Sequence, residues 1–167
     1  MSTEIEYKAK KFTNETILDQ LTQTDLDNLD SLVTKYFTPE AAYTPTFTGF
    51  GTPTSVNFSW MRMGNKLKVI GKFTTGINTA VEARLSLPLS LASDSTFITS
   101  IQGCGNIVAG TASALVLYAL IESGVSYTTF GIQSAALAGL TKINGNTIGN
   151  GITLSVQFEI PINGWNT

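Results

Sequence analysis

The stretch from Tyr43 to Phe73, YTPTFTGFGTPTSVNFSWMRMGNKLKVIGKF, decides the fold. On either side of a Gly64-Asn65 dipeptide, apolar residues alternate with polar ones, in the runs Val56, Phe58, Trp60 and Leu67, Val69. Alternation with a period of two is typical of a strand with one buried face, and Gly-Asn between two such runs is typical of a tight turn. Glycines and prolines before the first run are turn residues, because glycine tolerates positive φ and proline fixes φ. The stretch therefore predicts the opening of an antiparallel β-meander.

The chain beyond Phe73 continues in short runs of the same alternating kind, separated by glycine, proline and asparagine. We predict further strands over Thr79–Leu87, Phe97–Val108, Ala112–Glu122, Val125–Gln133 and Ile152–Ile160. Gly103 and Gly105 predict a bulge or a close backbone approach, and Ala135–Gly151 predicts an exposed hairpin or loop region. About eight short strands with turn signals between them indicate a mainly β fold, an antiparallel β-sandwich of jelly-roll kind over residues 43–167.

The predicted strand Ala112–Glu122 is apolar on both of its faces. A strand of this kind is buried on both faces. In a two-layer sandwich only one face meets the second sheet, so the other face requires a partner subunit. We therefore predict that Val116, Tyr118 and Leu120 contact another copy of the chain.

Between Asn14 and Phe37 the apolar period changes to that of a helix. Apolar residues share one side in each half of this segment: Leu18 and Leu21 in the first, and Leu26, Leu29, Val33 and Tyr36 in the second. Thr24 and Asp27 resemble a capping box, so the segment is either one helix or two short helices with a break near Thr22–Thr24.

Pro39 is predicted to end the helix, and residues 40–42 complete a helical stalk and linker over 14–42. The sequence predicts no other helix, so the apolar stripe packs either on the β-domain or on its own copies. We predict self-association as a short parallel bundle, which makes the stalk an oligomerisation segment.

Residues 1–13 precede the helix and are too few to fold alone. Ile5 and Tyr7 alternate with acidic residues, which suits a short added strand, and Phe12 adds a third large apolar side chain. Two readings stay open: a frayed terminus, or a docking arm that pairs with a strand edge of a larger protein.

The composition excludes several classes of partner. Only 13% of the residues are charged, about half of the usual ~25%, which favours a surface partly covered by other subunits over one that is merely coated by Ser, Thr and Asn. No basic stripe supports nucleic-acid binding, and no uninterrupted apolar run reaches the roughly 18–20 residues of a membrane span. The single cysteine, Cys104, is predicted to be a buried, reduced thiol.

The sequence also lacks the residues that most catalytic and metal sites require. It contains no histidine, which removes the Ser-His-Asp and Cys-His nucleophile systems and nearly every zinc site. A carboxylate pair is the remaining option, but Glu82 is predicted to pair with Arg84, while Glu122 and Glu159 stand near strand ends and are predicted to be solvated. We expect no enzyme activity, no metal and no cofactor.

A series of short motifs extends from Tyr43 to Trp165. They are Y-T-P-T-x-T-G-x-G, Trp60-Met61-Arg62, G-N-x-L-x-V-x-G-K-F, Glu82-Ala83-Arg84-Leu85 with Leu87-Pro88, Val125-Ser126-Tyr127 with Phe130-Gly131, Gly139-Leu140-Thr141-Lys142 with Asn144-Gly145, and Ile160-Pro161-Ile162 with Gly164-Trp165. In this order they resemble the C-terminal β-domain of tailed-bacteriophage surface proteins, the tail fibres, spikes and head fibres.

The resemblance implies a non-enzymatic, homotrimeric module on the virion surface. Two roles remain open: a short decoration or head-fibre spike, docked on the capsid or tail by Ile5, Tyr7 and Phe12, or a tail-fibre tip that recognises a host surface glycan. Exposed aromatic rings can stack on sugars, and the candidates for such contact are Tyr127, Phe130 and Trp165.

Overall fold

The computed structural model of the protein describes residues 22–110, 116–133 and 139–165. The chain divides into two compact units, Met1–Tyr36 and Phe37–Thr167. Among the described residues, no helix has the length and apolar character needed to cross a membrane.

Within the residues that the structure describes, the elements run from helix α1 into a series of strands. They are α1 (Gln23–Tyr36), β1 (Phe37–Tyr43), β2 (Phe47–Thr48), β3 (Thr54–Met63), β4 (Lys66–Thr74), β5 (Arg84–Ser86), a 3-10 turn (Pro88–Ser90), β6 (Gln102–Ala109), β7 (Leu117–Ile121), β8 (Tyr127–Gln133), β9 (Leu140–Lys142), α2 (Gly145–Ile148) and β10 (Thr153–Pro161).

Helix α1 begins at a capping box, two residues earlier than the sequence predicts. The Thr22 backbone N–H donates to the Asp25 carboxylate at 2.9 Å, and the Asp25 N–H donates to the Thr22 hydroxyl at 3.2 Å. The hydrogen bond from the Thr22 side chain also lowers the pKa of the Asp25 carboxyl. The box satisfies two of the free N–H groups of the first turn, so Thr22 and not Thr24 sets the start of α1.

The segment that the sequence predicts as a linker is a strand. Residues 37–43 form β1, which pairs with β3 and lies at the edge of the sheet. Pro39 is tolerated there because an edge strand has a free side, and the pairing register shifts between Thr38 and Ala41. The proline and this irregularity interrupt the alternating pattern, which is why the sequence does not reveal the strand.

All of the strand pairs are antiparallel, in the order β1-β3-β4-β10-β6-β7-β8-β5-β2, with β9 paired to β8. The two edge strands are joined by Thr44–Thr46 alone, so their ends lie within about 14 Å of each other and the sheet has to curl. The predicted fold class, a mainly β, sandwich-like antiparallel domain after a short helix, is confirmed. The jelly-roll connectivity stays a prediction.

The core lies inside the curl and is built around phenylalanines. Phe73 on β4 and Phe130 on β8 are fully buried although their strands are far apart in the sheet order, and Phe50 stands 5.0 Å from the first ring and 4.9 Å from the second. Phe47 on β2 reaches Phe73 at 4.7 Å. The two pairs of Phe50 are edge-to-face, and aromatic pairs add about 0.5–1.5 kcal/mol each beyond burial, so the cluster holds the two halves of the curled sheet together.

Gly103 and Gly105 on β6 form a bulge and allow a close approach of the backbone, as the sequence predicts. The register with β7 shifts between Gly103 and Gly105, which is a bulge, and a Cβ atom on Gly105 would collide with backbone atoms of Gln157 and Phe158 on β10. Both the predicted bulge and the predicted close approach are confirmed.

The strand predicted to be apolar on both faces is described from Val116 onward. Leu117, Ala119 and Ile121 face the core, and Leu120, on the opposite face, is also fully buried within the chain. Leu120 therefore offers no exposed surface to a partner, which corrects its predicted place in a subunit interface.

The region 135–151 is more regular than a loop, in the part that is described. Leu140–Lys142 pairs with β8 as β9, and Asn144 caps α2 by accepting a hydrogen bond from the Thr147 N–H.

Candidate functional site on the outer face of the sheet

The outer face of the curled sheet carries a groove over strands β1, β3, β4, β10 and β6. Its volume is about 920 Å³, within the usual range of ligand sites. The residues that line it are Glu40, Ala42, Asn57, Phe58, Ser59, Ile70, Gly71, Lys72, Asn106, Val108, Ser155, Val156 and Gln157.

The pairing register places outward-facing residues in rows that cross the strands. One row runs in the order Ser59, Ile70, Gln157, Asn106, Tyr118. A parallel row runs in the order Asn57, Lys72, Ser155, Val108. Because neighbouring strands lie about 4.8 Å apart, each row presents a side chain at regular intervals across the groove.

The lining of the groove is neutral over most of its area. Its polar side chains are the amides of Asn57, Asn106 and Gln157 and the hydroxyls of Ser59 and Ser155. Lys72 and Glu40 are the charged members, and their charges are opposite. Amides and hydroxyls both donate and accept hydrogen bonds, so this surface suits an uncharged polar ligand.

A second polar surface, the ionic network, lies beside β5, β8 and β9. The Arg84 guanidinium donates to the Glu82 carboxylate at 2.8 Å, and the Lys142 ammonium lies 2.6 Å from Glu122 and 3.5 Å from Glu82. The Arg84 guanidinium also stands 4.2 Å over the ring of Tyr127. The predicted pairing of Glu82 with Arg84 is confirmed, whereas Glu122, expected to be solvated, binds Lys142.

The network shifts the titration of its members. Partial burial raises the pKa of Glu82, but hydrogen bonds from Arg84 and the charge of Lys142 outweigh it, so the net pKa is below its ordinary value. The hydrogen bond with Glu122 raises the pKa of Lys142. The lowered pKa of Glu82 favours its charged form, which is unsuited to a general acid.

The network occupies the same face of the sheet as two buried residues. Thr129 lies directly opposite Arg84 in the register, Leu120 lies opposite Thr129, and both are almost completely buried. Leu120 and Thr129 are thus covered within the chain, whereas the side chains of the network stay 28–37% exposed.

The other groups with catalytic potential have structural partners. Asp94 is buried and accepts a hydrogen bond from the Thr96 N–H at 2.8 Å within a turn. Cys104 is a free, partly buried thiol whose Sγ donates to the Ala119 carbonyl at 3.4 Å, and burial raises its pKa to about 12. Within residues 22–110, 116–133 and 139–165, no cluster of acidic residues and cysteine could hold a metal ion.

The aromatic residues predicted to touch a glycan are not brought together. The prediction for Phe130 is wrong, because its side chain is 1% exposed in the core. On β8, Tyr127 and Phe130 are three residues apart and so face opposite sides of the sheet. Tyr127 is covered in part by Arg84, and Trp165 packs against Arg62 at 4.5 Å.

The residues predicted to join subunits have mixed outcomes. Leu26, Leu29 and Val33 on α1 are 45%, 58% and 50% exposed, so the stripe is open to a partner. Val116 is exposed and Tyr118 is half-buried. Leu18 and Leu21, and the docking residues Ile5, Tyr7 and Phe12, lie outside the described residues.

The groove is not predicted from the sequence. Its residues are the polar members of alternating strands, and such residues are typical of any exposed sheet face. A weak signal was present, since Asn57, Ser59, Asn106, Ser155 and Gln157 are all uncharged although lysines occur on β4.

Comparison with known proteins finds a likeness in fold. No protein family matches the chain in sequence, and neither does a curated protein. The structure is similar to part of the crystal structure of the Dettilon tailspike protein, with a TM-score of 0.55, 8% sequence identity and 77% of this chain covered. The match takes in 24% of the tailspike chain, about a quarter of its length, and at this identity it shows the fold alone.

Proposed function

We propose that this chain is a non-enzymatic structural protein of a tailed-phage virion surface, a short homotrimeric spike of decoration or head-fibre type. The observation that carries the proposal is the exposed apolar stripe of α1. The motifs between Tyr43 and Trp165, and the likeness in fold to part of a tailspike, support the placement among phage surface proteins.

The stripe supports assembly because the apolar side chains of α1 are not buried. Leu26, Leu29, Val33 and Tyr36 follow the three-four-three spacing of one helix face, and no residue of α1 is buried. A 14-residue helix is marginal in water without tertiary packing. Packing three copies of the stripe together gives these side chains a core, and the trimeric number follows from the family resemblance.

In the proposed spike, α1 is part of the stalk, and at 1.5 Å per residue its 14 residues extend about 21 Å. In this role Ile5, Tyr7 and Phe12 attach the trimer to a capsid or tail protein by adding a strand to an exposed sheet edge.

A second candidate function is a receptor-binding tip that recognises a host cell-surface glycan. The specific observation in its favour is the groove, which is open, concave and lined by neutral hydrogen-bonding side chains.

The non-enzymatic assignment rests on the residues that would perform hydrolysis. The sequence has no histidine, and Glu82 and Glu122 share the ammonium of Lys142. Each carboxylate is thereby paired with a cation, and the pKa of Glu82 is lowered, the opposite of what an acid catalyst requires. Turnover of host polysaccharide that disappears with Glu82→Gln would refute the assignment.

A density map of the intact phage particle tests the location. We expect trimeric density for this chain on the head, and density at the distal tips of the tail would favour the receptor-binding candidate. Absence of the chain from purified particles would contradict both.

The docking arm is tested in the same particles. Tyr7→Asp should remove the chain from particles while the purified protein remains a trimer. Ser2→Asp adds the same charge without removing a large apolar side chain, and it should leave incorporation unchanged.

A further inference from the structure

We propose that the groove on the outer face of β1, β3, β4, β10 and β6 binds a neutral carbohydrate chain, laid across the strands. The inference deepens the receptor-binding candidate and rests on it, since it names the site and the chemical class of the ligand. Nothing in the aromatic pattern of the sequence identifies this surface.

The register of the strands places outward-facing side chains in a line across the groove. The row Ser59, Ile70, Gln157, Asn106, Tyr118 crosses successive strands in direct register. With strands about 4.8 Å apart, the row extends about 19 Å, the length of a few linked sugar rings. A linear oligosaccharide laid along it would meet a new side chain at each ring.

The side chains of the groove match sugar hydroxyls in hydrogen bonding. A sugar hydroxyl is both a donor and an acceptor, and so is each amide or hydroxyl of the lining. Asn57, Asn106, Ser155 and Gln157 are all exposed, so their polar atoms are available without rearrangement of the core.

The charges of the groove favour a neutral ligand. Lys72 and Glu40 are the charged members of the lining and have opposite signs, so the groove has no net charge with which to attract a polyanion. A phosphorylated or acidic glycan would gain little from the groove, whereas a neutral one loses nothing by entering it.

Apolar side chains also stand among the polar ones on this face. Ile70 is 43% exposed and Val108 is 65% exposed on this face, and Tyr118 is half-buried at the end of the row. Sugar rings present C–H groups on their faces, and aliphatic and aromatic side chains cover such faces favourably. The mixture of amides and isolated apolar side chains thus matches both kinds of surface on a pyranose.

The groove is less well suited to another copy of this chain. The buried centre of a protein interface is usually apolar and complementary in shape. Here the centre of the groove is occupied by amides and hydroxyls, and the exposed stripe of α1 already offers an apolar contact between copies.

The proposal is tested by titrating isotope-labelled full-length protein with linear neutral trisaccharides and tetrasaccharides of glucose, galactose, mannose and N-acetylglucosamine. At about 10 mM, a site with a Kd of about 1 mM is largely filled. We expect at least one of these sugars to shift the backbone and side-chain amide signals of Asn106 and Gln157. A sialylated trisaccharide should bind no more tightly than its neutral counterpart.

Two variants locate the site. Gln157→Ala should weaken binding of the shifting sugar about tenfold, the effect of one lost hydrogen bond of ~1.4 kcal/mol. Ser155→Trp should block the groove by filling it. Lys66→Ala, on the outer face of β4 but outside the lining, is the matched control and should leave the affinity unchanged.

Three outcomes would overturn the proposal. These are no shift in the groove with any of the neutral sugars, an affinity that the two groove variants do not change, and tighter binding of the acidic sugar. A protein that stays at the tail tips of particles but fails this titration would refute the groove and leave the receptor-binding candidate standing. A protein found on the head would refute that candidate separately.

Discussion

The core of the β-domain buries its apolar side chains, whereas helix α1 exposes them. In the β-domain, Phe50, Phe73 and Phe130 are at most 1% exposed, whereas on α1 Leu26, Leu29 and Leu32 are 45% to 58% exposed. The phenylalanine cluster packs within one chain, whereas no residue of α1 is buried. The difference is the one that the proposed assembly would produce, with α1 packed on other copies of the chain.

A smaller contrast divides the outer face of the sheet. One part of the outer face carries buried Leu120 and Thr129 and holds the ionic network. The other part carries amides and serines and forms the groove. The groove is the surface left for a ligand.

The most damaging change should be Gly105→Ala. Its Cβ would collide with the backbone of Gln157 and Phe158, so β6 and β10 would have to separate in the middle of the sheet. We expect a loss of more than about 4 kcal/mol, in the exceptional range for a point mutation, read from the urea midpoint of the β-type circular dichroism. Gly139→Ala, where a Cβ meets open space at ordinary φ, is the control and should leave the midpoint nearly unchanged. Equal effects of the two substitutions would mean that the close approach of the strands is not required.

Phe130→Ala should come next, with a cost of about 3–5 kcal/mol for a buried aromatic ring. The substitution removes the ring contacts with Phe50 and Phe73 that join facing parts of the sheet. The residues of α1 are not among those that form this core. Where Phe130→Ala remains folded, it should therefore associate into the same number of chains as the parent protein. Sedimentation of that variant measures the assembly, and a folded monomer would contradict the separation of the two regions.

Leu29→Asp should produce the opposite result. We expect the association to weaken by at least about 100-fold, or ~2.7 kcal/mol, because the charge would have to enter an apolar contact between copies. The β-type circular dichroism should be retained. Ser31→Asp adds the same charge on the opposite side of α1 and should leave the association nearly unaffected. Loss of both assembly and fold in Leu29→Asp would mean that the helix belongs to the core of the domain.

The smallest effect should be that of the ionic network on acid stability. The pKa of Glu82 is lower in the folded protein than its ordinary value of 4.5, so its contribution is complete above that pH and is lost as pH falls through the folded-state pKa. Glu82→Gln should lower the stability by less than about 1 kcal/mol at neutral pH. On acidification the variant should lose less stability than the parent protein does, because it lacks the carboxylate that becomes protonated. Urea midpoints at neutral and acidic pH measure this, and parallel losses in the two proteins would contradict the role of Glu82.

The fold could be predicted from the sequence where a local rule acts alone. The hairpin of β3 and β4 follows from alternation around Gly64-Asn65, and the bulge of β6 follows from its glycines. Strand β1 was missed because Pro39 breaks the alternation. The burial of Leu120 was missed because a sequence does not show what lies over the second face of a strand.

The candidate site was predictable only in part. The pairing of Glu82 with Arg84 is local, because the two residues are only two positions apart in the sequence. Lys142 is distant in sequence from both Glu82 and Glu122, so its pairing with them is not. The groove depends on the registers of five strands, which no local pattern encodes. Phe130 was predicted to be exposed because the face on which a strand residue lies is known only when the pairing register with the neighbouring strands is known.

The molecular mass of the full chain in solution tests the central claim, that α1 needs copies of itself while the β-domain does not. Sedimentation equilibrium at micromolar concentration should give three times the mass of one chain, which is 17.8 kDa. A mass equal to one chain, with α1 still helical by circular dichroism, would contradict the claim.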